Sequence, residues 1–97
     1  MERRVLGKSG IEASNIGLGT YYFGGGDGTS PLSSKDIIDM IHSALDHSIN
    51  LLDTAPAYGF GHCEKIIGKA LEGRRDQAVI ATKCGLWWQD RRGSPNG

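Results

Sequence analysis

Three short apolar segments recur along this 97-residue chain at nearly constant spacing, separated by amphipathic helical stripes. They start near Ile16, Ile49 and Val79, 33 and 30 residues apart. Ile16-Gly17-Leu18-Gly19-Thr20 is apolar and glycine-broken and reads as a buried strand. Ile49-Asn50-Leu51-Leu52-Asp53 and Ala78-Val79-Ile80-Ala81-Thr82-Lys83 read as the second and third strands. Between the first two, Ile37, Ile38, Ile41, Ala44 and Leu45 form one helical stripe, with Lys35, Asp39, His42 and Asp46 on the other side. Ser33 offers a hydroxyl to the first turn, with Asp36 three residues on, a variant of the capping box. That helix is expected to end near His47-Ser48. A second is expected from about Cys63 to Glu72, with Ile66, Ile67, Ala70 and Leu71 on one face and Gly73 as its stop.

Strands alternating with helices imply an α/β fold with a parallel sheet and right-handed crossovers. A hairpin precedes them at residues 4–14, where two β-compatible runs flank Gly7-Lys8-Ser9-Gly10. The order is therefore hairpin, then β-α-β-α-β. A (β/α)8 barrel of about 250 residues has units of about 31, so this chain has the length of about three units. An open Rossmann-like sheet has a similar period, and periodicity alone does not choose between them.

Charge and composition narrow the partners. Eleven basic residues balance eleven acidic ones, so no long-range field attracts phosphate backbones or anionic lipid. No apolar run approaches the roughly 20 residues of a membrane span. The first residues turn polar at once, unlike a secretory signal. Two cysteines cannot build a disulfide framework, and their setting reads as reduced and cytoplasmic. A metal site is not expected, since His42, His47, His62, Cys63 and Cys84 offer no Cys-x-x-Cys or His-x-x-x-His pairing.

The fifteen glycines do not form a phosphate cradle. Gly17-Leu18-Gly19 ends a strand where a dinucleotide fingerprint would start, but position 22 is Tyr and no helix opens directly from the turn. Gly24-Gly25-Gly26-Asp27-Gly28 lacks the Gly-Lys-Ser/Thr ending of a P-loop and reads as a surface loop. Trp87-Trp88 reads equally as a substrate wall or as packing against a neighbouring unit, and Arg91-Arg92 as a solvated pair.

Three ionisable side chains stand out by position. Asp53 ends the second strand, Tyr58 follows in the loop leaving it, and Lys83 ends the third. Adjacent parallel strands end on one edge, where the catalytic groups of parallel α/β proteins collect. Alternation puts Asp53 on one face with Leu51 and Ile49, and Lys83 with Ala81 and Val79. An ammonium beside a phenol favours its tyrosinate. At about 4 Å and an effective dielectric of 20 that attraction is about 4 kcal/mol. The trio suits delivery of a proton to an oxygen that is becoming an alkoxide, as in carbonyl reduction by hydride. The alternative is a buried Asp–Lys bridge joining two strands, with Tyr58 a half-exposed loop aromatic.

These residues resemble the aldo-keto reductase family. Ile49-Asn50-Leu51-Leu52-Asp53-Thr54-Ala55-Pro56-Ala57-Tyr58-Gly59 is similar to its strand-two signature. Gly61-His62-Cys63-Glu64, followed by Ile67-Gly68 and Ala70-Leu71, resembles the start of its second helix. Arg74-Arg75-Asp76 with Val79–Lys83 resembles its third-strand segment. Leu6-Gly7 through Thr20 resembles the hairpin that plugs the barrel floor and the first strand.

The resemblance implies that residues 1–97 are the N-terminal part of a (β/α)8 TIM barrel, with βα units from about 16 to 83 and a polar tail at 84–97. It implies NADPH-dependent interconversion of small carbonyl compounds and alcohols. Asp53, Tyr58 and Lys83 match three of four catalytic positions, with Tyr58 as proton donor. Gly19, Thr20 and Tyr21, with Asp53, match the cofactor-binding strand ends near nicotinamide.

Three departures stand beside the match. The family's fourth catalytic residue, a strand-four His, has no counterpart, since every histidine precedes Lys83. Ser48 stands where a Gly often ends the first helix, at about 1 kcal/mol if φ is positive. Cys63 replaces a usual serine at the start of the second helix, which removes a good N-cap hydroxyl. The isolated 97 residues are expected to be inactive, with an open edge on the third strand that favours self-association. A non-enzymatic NADPH-binding regulatory subunit of the same fold and a small α/β interaction module are the other readings.

Overall fold

The computed structural model describes residues 2–24 and 32–85. The Gly25–Gly28 run, Trp87-Trp88 and Arg91-Arg92 lie outside the described residues.

The chain opens with an antiparallel hairpin of β1 (Arg3–Val5) and β2 (Glu12–Ser14), Arg3 lying opposite Ser14. Its turn closes through Leu6, whose N–H donates to the Ile11 carbonyl at 2.8 Å and whose own carbonyl accepts from Ser9 Oγ at 2.7 Å. The hairpin is fastened at its far end. Asn50 Oδ1 accepts from the Ser14 N–H at 2.7 Å, Asn50 Nδ2 donates to the Glu12 carbonyl at 3.0 Å, and the Asn50 N–H donates to Ser14 Oγ at 3.1 Å. Asn50 and Ser14 are both buried, so their polar atoms satisfy one another out of reach of water.

Three parallel strands follow, β3 (Gly17–Gly19), β4 (Leu51–Asp53) and β5 (Val79–Ala81), in that spatial order. Gly19 aligns with Asp53, and Asp53 with Ala81. The expected second and third strands thus form, each shortened to its central residues. Helices α1 (Ser34–Asp46) and α2 (His62–Ala70) pack on one another and cover one face of the sheet. Ile37, Ile41, Leu52, Cys63, Ile67 and Ala70 are at most 2% exposed there, with Leu18 and Ile80 half-buried beside them. Each fully buried Leu or Ile contributes about 1.5–3 kcal/mol, so this layer dominates the stability.

β3 was expected to be buried, and is not. Gly17 and Gly19 are exposed, and only Leu18 packs against the core. The helices cover the side that Leu18 faces, while Gly17, Gly19, Leu51, Asp53 and Ala81 face a side that no described helix covers. A Cβ on Gly17 would come within 3.1 Å of the Leu51 side chain, so glycine lets the β4 side chain lie across its neighbour.

The helix ends follow the local chemistry. Ser33 Oγ accepts from the Asp36 N–H at 3.1 Å, the expected cap on α1. The Ile49 N–H donates to the Ala44 carbonyl and the Ser48 N–H to the Leu45 carbonyl, at 2.9 and 3.0 Å, the paired bonds of a Schellman motif. That motif needs a left-handed residue, and Ser48 supplies it at φ 68°, alone among the described non-glycine residues. Gly73, at φ 76°, ends the turn after α2 without that strain.

Two polar residues sit differently from expectation. His42 was placed on the solvent side of α1, but its Nε2 lies 2.7 Å from the Ala70 carbonyl at the end of α2, joining the helices. Cys63 does not occupy the N-cap of α2. Gly61 caps that helix at φ 94°, and Cys63 lies inside the first turn, fully buried.

Replacing Ser48 with Gly is expected to stabilise the fold by about 1 kcal/mol, because the left-handed strain of a side chain is removed. Urea denaturation reads the change directly. An unchanged or lowered midpoint would show that the serine is not strained.

Candidate active site

β4 ends in Asp53, and register places that residue between Gly19 and Ala81 on the carboxyl edge of the sheet. Alternation turns the Asp53 carboxylate to the open face, since Leu52 before it and Thr54 after it are buried toward the helices. Beyond Asp53 the chain passes Pro56 into a single 3-10 turn at Tyr58–Gly61, which runs into α2. This turn puts Tyr58 over the strand end, half-buried against the core. Lys83 lies two residues past the last paired residue of β5, not within the strand.

The three expected side chains meet. Lys83 Nζ donates to Asp53 Oδ1 at 3.3 Å, to the Thr54 carbonyl at 3.0 Å and to Tyr58 Oη at 3.4 Å. The ammonium also lies 5.2 Å from the centroid of the Tyr58 ring. Tyr21 packs edge-on against the same ring, with centroids 5.2 Å apart and planes at 83°. The phenol oxygen accepts from Lys83 and so keeps its own O–H to donate elsewhere. The Thr54 carbonyl, the shortest contact of the ammonium, did not figure in the sequence reading. Backbone acceptors leave no trace in residue type.

The Asp53 and Lys83 side chains are 57% and 47% exposed, so this is not the buried inter-strand bridge considered as the alternative. A pair this wet adds little to stability, because water screens the attraction. Partial desolvation works against the Lys83 charge. The hydrogen bonds to Asp53 and Tyr58, with the Coulomb attraction of both, outweigh it and raise the ammonium above its usual 10.5.

Of the strand-end residues expected near nicotinamide, Gly19 faces the open side and Tyr21 is 54% exposed beside Tyr58. Thr20 turns the other way. It is fully buried, its Oγ1 donates to the Asp53 carbonyl at 2.9 Å, and its N–H donates to the same oxygen at 3.1 Å. Chain neighbours aside, no atom of the described residues lies within 4 Å of where a Gly19 Cβ would stand, so the space directly over Gly19 is open. Among the described residues no group of three or more His, Cys, Asp or Glu could hold a metal ion, and no helix is long and apolar enough to cross a membrane.

Residues 15–97 match the sequence profile of the Aldo/keto reductase family. The chain belongs to the aldo/keto reductase family. It is 49% identical over 96 residues to the aldo-keto reductase YhdN of Bacillus subtilis, covering 95% of this chain and 28% of that protein. It is 45% identical over 96 residues to the NADH-specific methylglyoxal reductase of Escherichia coli, covering 97% of this chain and 29% of that one. The chain thus spans under a third of the length of these relatives. Among solved structures, the holo form of an aldo-keto reductase from Bacillus halodurans superposes with a TM-score of 0.79 at 32% identity, over 92% of this chain and 28% of that one. An aldo-keto reductase from Klebsiella pneumoniae in complex with NADPH gives 0.66 at 30% identity, over 75% and 24%. The hairpin and the β-α-β-α-β sheet are therefore the N-terminal part of an aldo/keto reductase (β/α)8 barrel, and the open-sheet alternative is excluded.

The raised Lys83 value has a definite sign. A cation whose pKa rises on folding stabilises fully below its unfolded value, and loses that contribution as pH climbs through the folded one. A carbon-13 titration of the Lys83 side chain is expected to give a midpoint above 10.5, lowered by Asp53→Asn. A midpoint indifferent to that substitution would show that Asp53 does not hold the ammonium.

Proposed function

We propose that this chain supplies the proton-delivering part of an aldehyde or ketone reductase that uses a reduced nicotinamide dinucleotide. The observation that carries the reading is the Lys83 ammonium, held by Asp53 at 3.3 Å while it donates to the Tyr58 phenol oxygen at 3.4 Å. The dinucleotide, when bound, supplies the hydride. Everything else falls to side chains of the edge. Tyr58 Oη gives its proton to the carbonyl oxygen as charge develops there. Lys83 stabilises the phenolate left behind, and Asp53 keeps Lys83 charged and aimed. Gly19 and Tyr21 border the nicotinamide end, and Thr20 shapes the strand end from beneath. The described residues offer no grip on the pyrophosphate or ribose. The trio fits the reacting end of the cofactor alone.

The named relatives support the reaction class without agreeing on the dinucleotide. One of them is NADH-specific, while another was solved with NADPH. NADPH, expected from the sequence, and NADH are therefore both tried in the test. The substrate is a small carbonyl compound.

A chimera tests the reading. This chain replaces the matching segment of the Escherichia coli methylglyoxal reductase, 45% identical to it, and NADH or NADPH oxidation is followed with methylglyoxal. Turnover is expected to survive the exchange and to fall about 100-fold or more with Tyr58→Phe. A chimera that turns over equally well with Tyr58→Phe would refute the proton-donor assignment.

The described residues carry three parallel strands against the eight of a closed barrel. NADPH oxidation with 4-nitrobenzaldehyde is expected to stay at background for the chain alone. Turnover that disappears with Tyr58→Phe and Lys83→Met would overturn that expectation.

A further inference from the structure

Each strand of the parallel sheet is followed at once by a threonine: Thr20 after Gly19, Thr54 after Asp53 and Thr82 after Ala81. Alternation gives these residues the face opposite to Gly19, Asp53 and Ala81, which is the helix side. All three hydroxyls meet the first turn of α2. Cys63 takes two of them, its Sγ lying 3.1 Å from Thr20 Oγ1 and accepting from Thr54 Oγ1 at 3.4 Å. Glu64 takes the third, its Oε2 accepting from Thr82 Oγ1 at 2.9 Å.

The bonds around Cys63 close on themselves. The Thr54 hydroxyl donates to the Cys63 sulfur, the thiol donates to Thr20 Oγ1, and the Thr20 hydroxyl donates to the Asp53 carbonyl. That carbonyl belongs to the peptide leading into Thr54. Thr20 and Cys63 are fully buried and Thr54 is 1% exposed, so water does not compete for these bonds. The thiol thus accepts from one hydroxyl and has two acceptors of Thr20 within reach of its own hydrogen, Oγ1 at 3.1 Å and the carbonyl at 3.3 Å. That is more polar contact than a cysteine that merely filled space would need.

The groups of the site are attached directly to these contacts. Asp53 precedes Thr54, whose carbonyl holds the Lys83 ammonium at 3.0 Å. Lys83 follows Thr82 beyond the last paired residue of β5, where no ladder bond fixes the backbone. Tyr58 sits on the turn that enters α2 through Gly61.

We propose that Cys63 and Glu64 are positioning residues of the carbonyl-reducing site: acting through Thr20, Thr54 and Thr82, the first turn of α2 sets the separation of the Asp53 carboxylate, the Lys83 ammonium and the Tyr58 phenol. This rests on the reading of those three groups as the proton-delivering site. Cys63 ties β3 to β4, Glu64 ties down the residue before Lys83, and both belong to the helix that continues from Tyr58.

The test uses the 97-residue chain with carbon-13-labelled lysine. It reads the nuclear Overhauser cross-peak between the Lys83 ε-protons and the Tyr58 ring, and the Lys83 titration midpoint. Cys63→Val keeps the packing volume and removes the thiol, while Thr82→Val removes the exposed hydroxyl that Glu64 holds. With amide dispersion retained, both are expected to lose the cross-peak and to lower the midpoint toward that of an ordinary lysine. Cys63→Ser restores both readouts, because a hydroxyl can donate and accept in the same ring. Folded Cys63→Val and Thr82→Val chains that keep the cross-peak and the midpoint would overturn the proposal. If Cys63→Val fails to fold, Thr82→Val decides alone, and an unchanged cross-peak there is fatal. Neither readout involves turnover. An active Tyr58→Phe chimera would sink the chemical reading and leave the positioning result standing.

Discussion

Strand alternation at the carboxyl edge is the constraint on which the rest depends. Asp53 and Thr54 are neighbours in sequence and face opposite ways: the carboxylate lies on the open side, and the hydroxyl reaches Cys63 among the helices. A slip of one residue in β4 would exchange them. A carboxylate would then enter the apolar layer with Leu52's neighbours, at a desolvation cost of several kcal/mol. Buried Leu52, with half-buried Leu18 and Ile80 beside it, fixes the register against that slip, and the register delivers Asp53 level with Gly19 and Ala81. The polar geometry of the edge is thus a by-product of an apolar decision made on the other face.

The magnitudes support that order of cause. The Asp53–Lys83 pair is about half exposed on each side and adds little to the stability of the fold. The buried Ile, Leu and Ala of α1, α2 and the sheet supply far more. The ionic group therefore does not hold the strands in place. The strands hold the group, with the Thr54 carbonyl as a fixed acceptor whose position the parallel ladder determines.

Much of this was legible in the residues. Period and stripe gave the alternation of strands and helices, Ser33 gave the start of α1, and the serine at position 48, where the family resemblance places a glycine, raised the question of a left-handed residue, which φ 68° answers. Parity and strand ends brought Asp53, Tyr58 and Lys83 together, as their hydrogen bonds report. The misreadings share one physical origin. His42, Cys63 and Thr20 are polar or polarisable residues, each with a partner on another element 28 to 43 positions away. No local pattern tells a solvated histidine from one capping the carbonyl of another helix, or a weak N-cap from a thiol inside a ring of hydroxyls. The exposure of β3 was missed for a related reason: glycine and leucine look buried in any strand, and only the layer above them decides.

That uncovered layer also bears on the chemistry. Gly17 admits the Leu51 side chain at close range, and Gly19 leaves the space beside Asp53 clear, so the open face has a relief suited to further packing. In the barrels of the family this face looks inward. Enclosure lowers the effective dielectric around charges held only 3.3 Å apart, and the attraction between an ammonium and its neighbours grows in proportion. An ion pair that is nearly neutral for stability when half exposed thus gains strength once water is excluded. The geometry of the trio is therefore set by local strand alternation, while the proton delivery proposed for it depends on what closes over it.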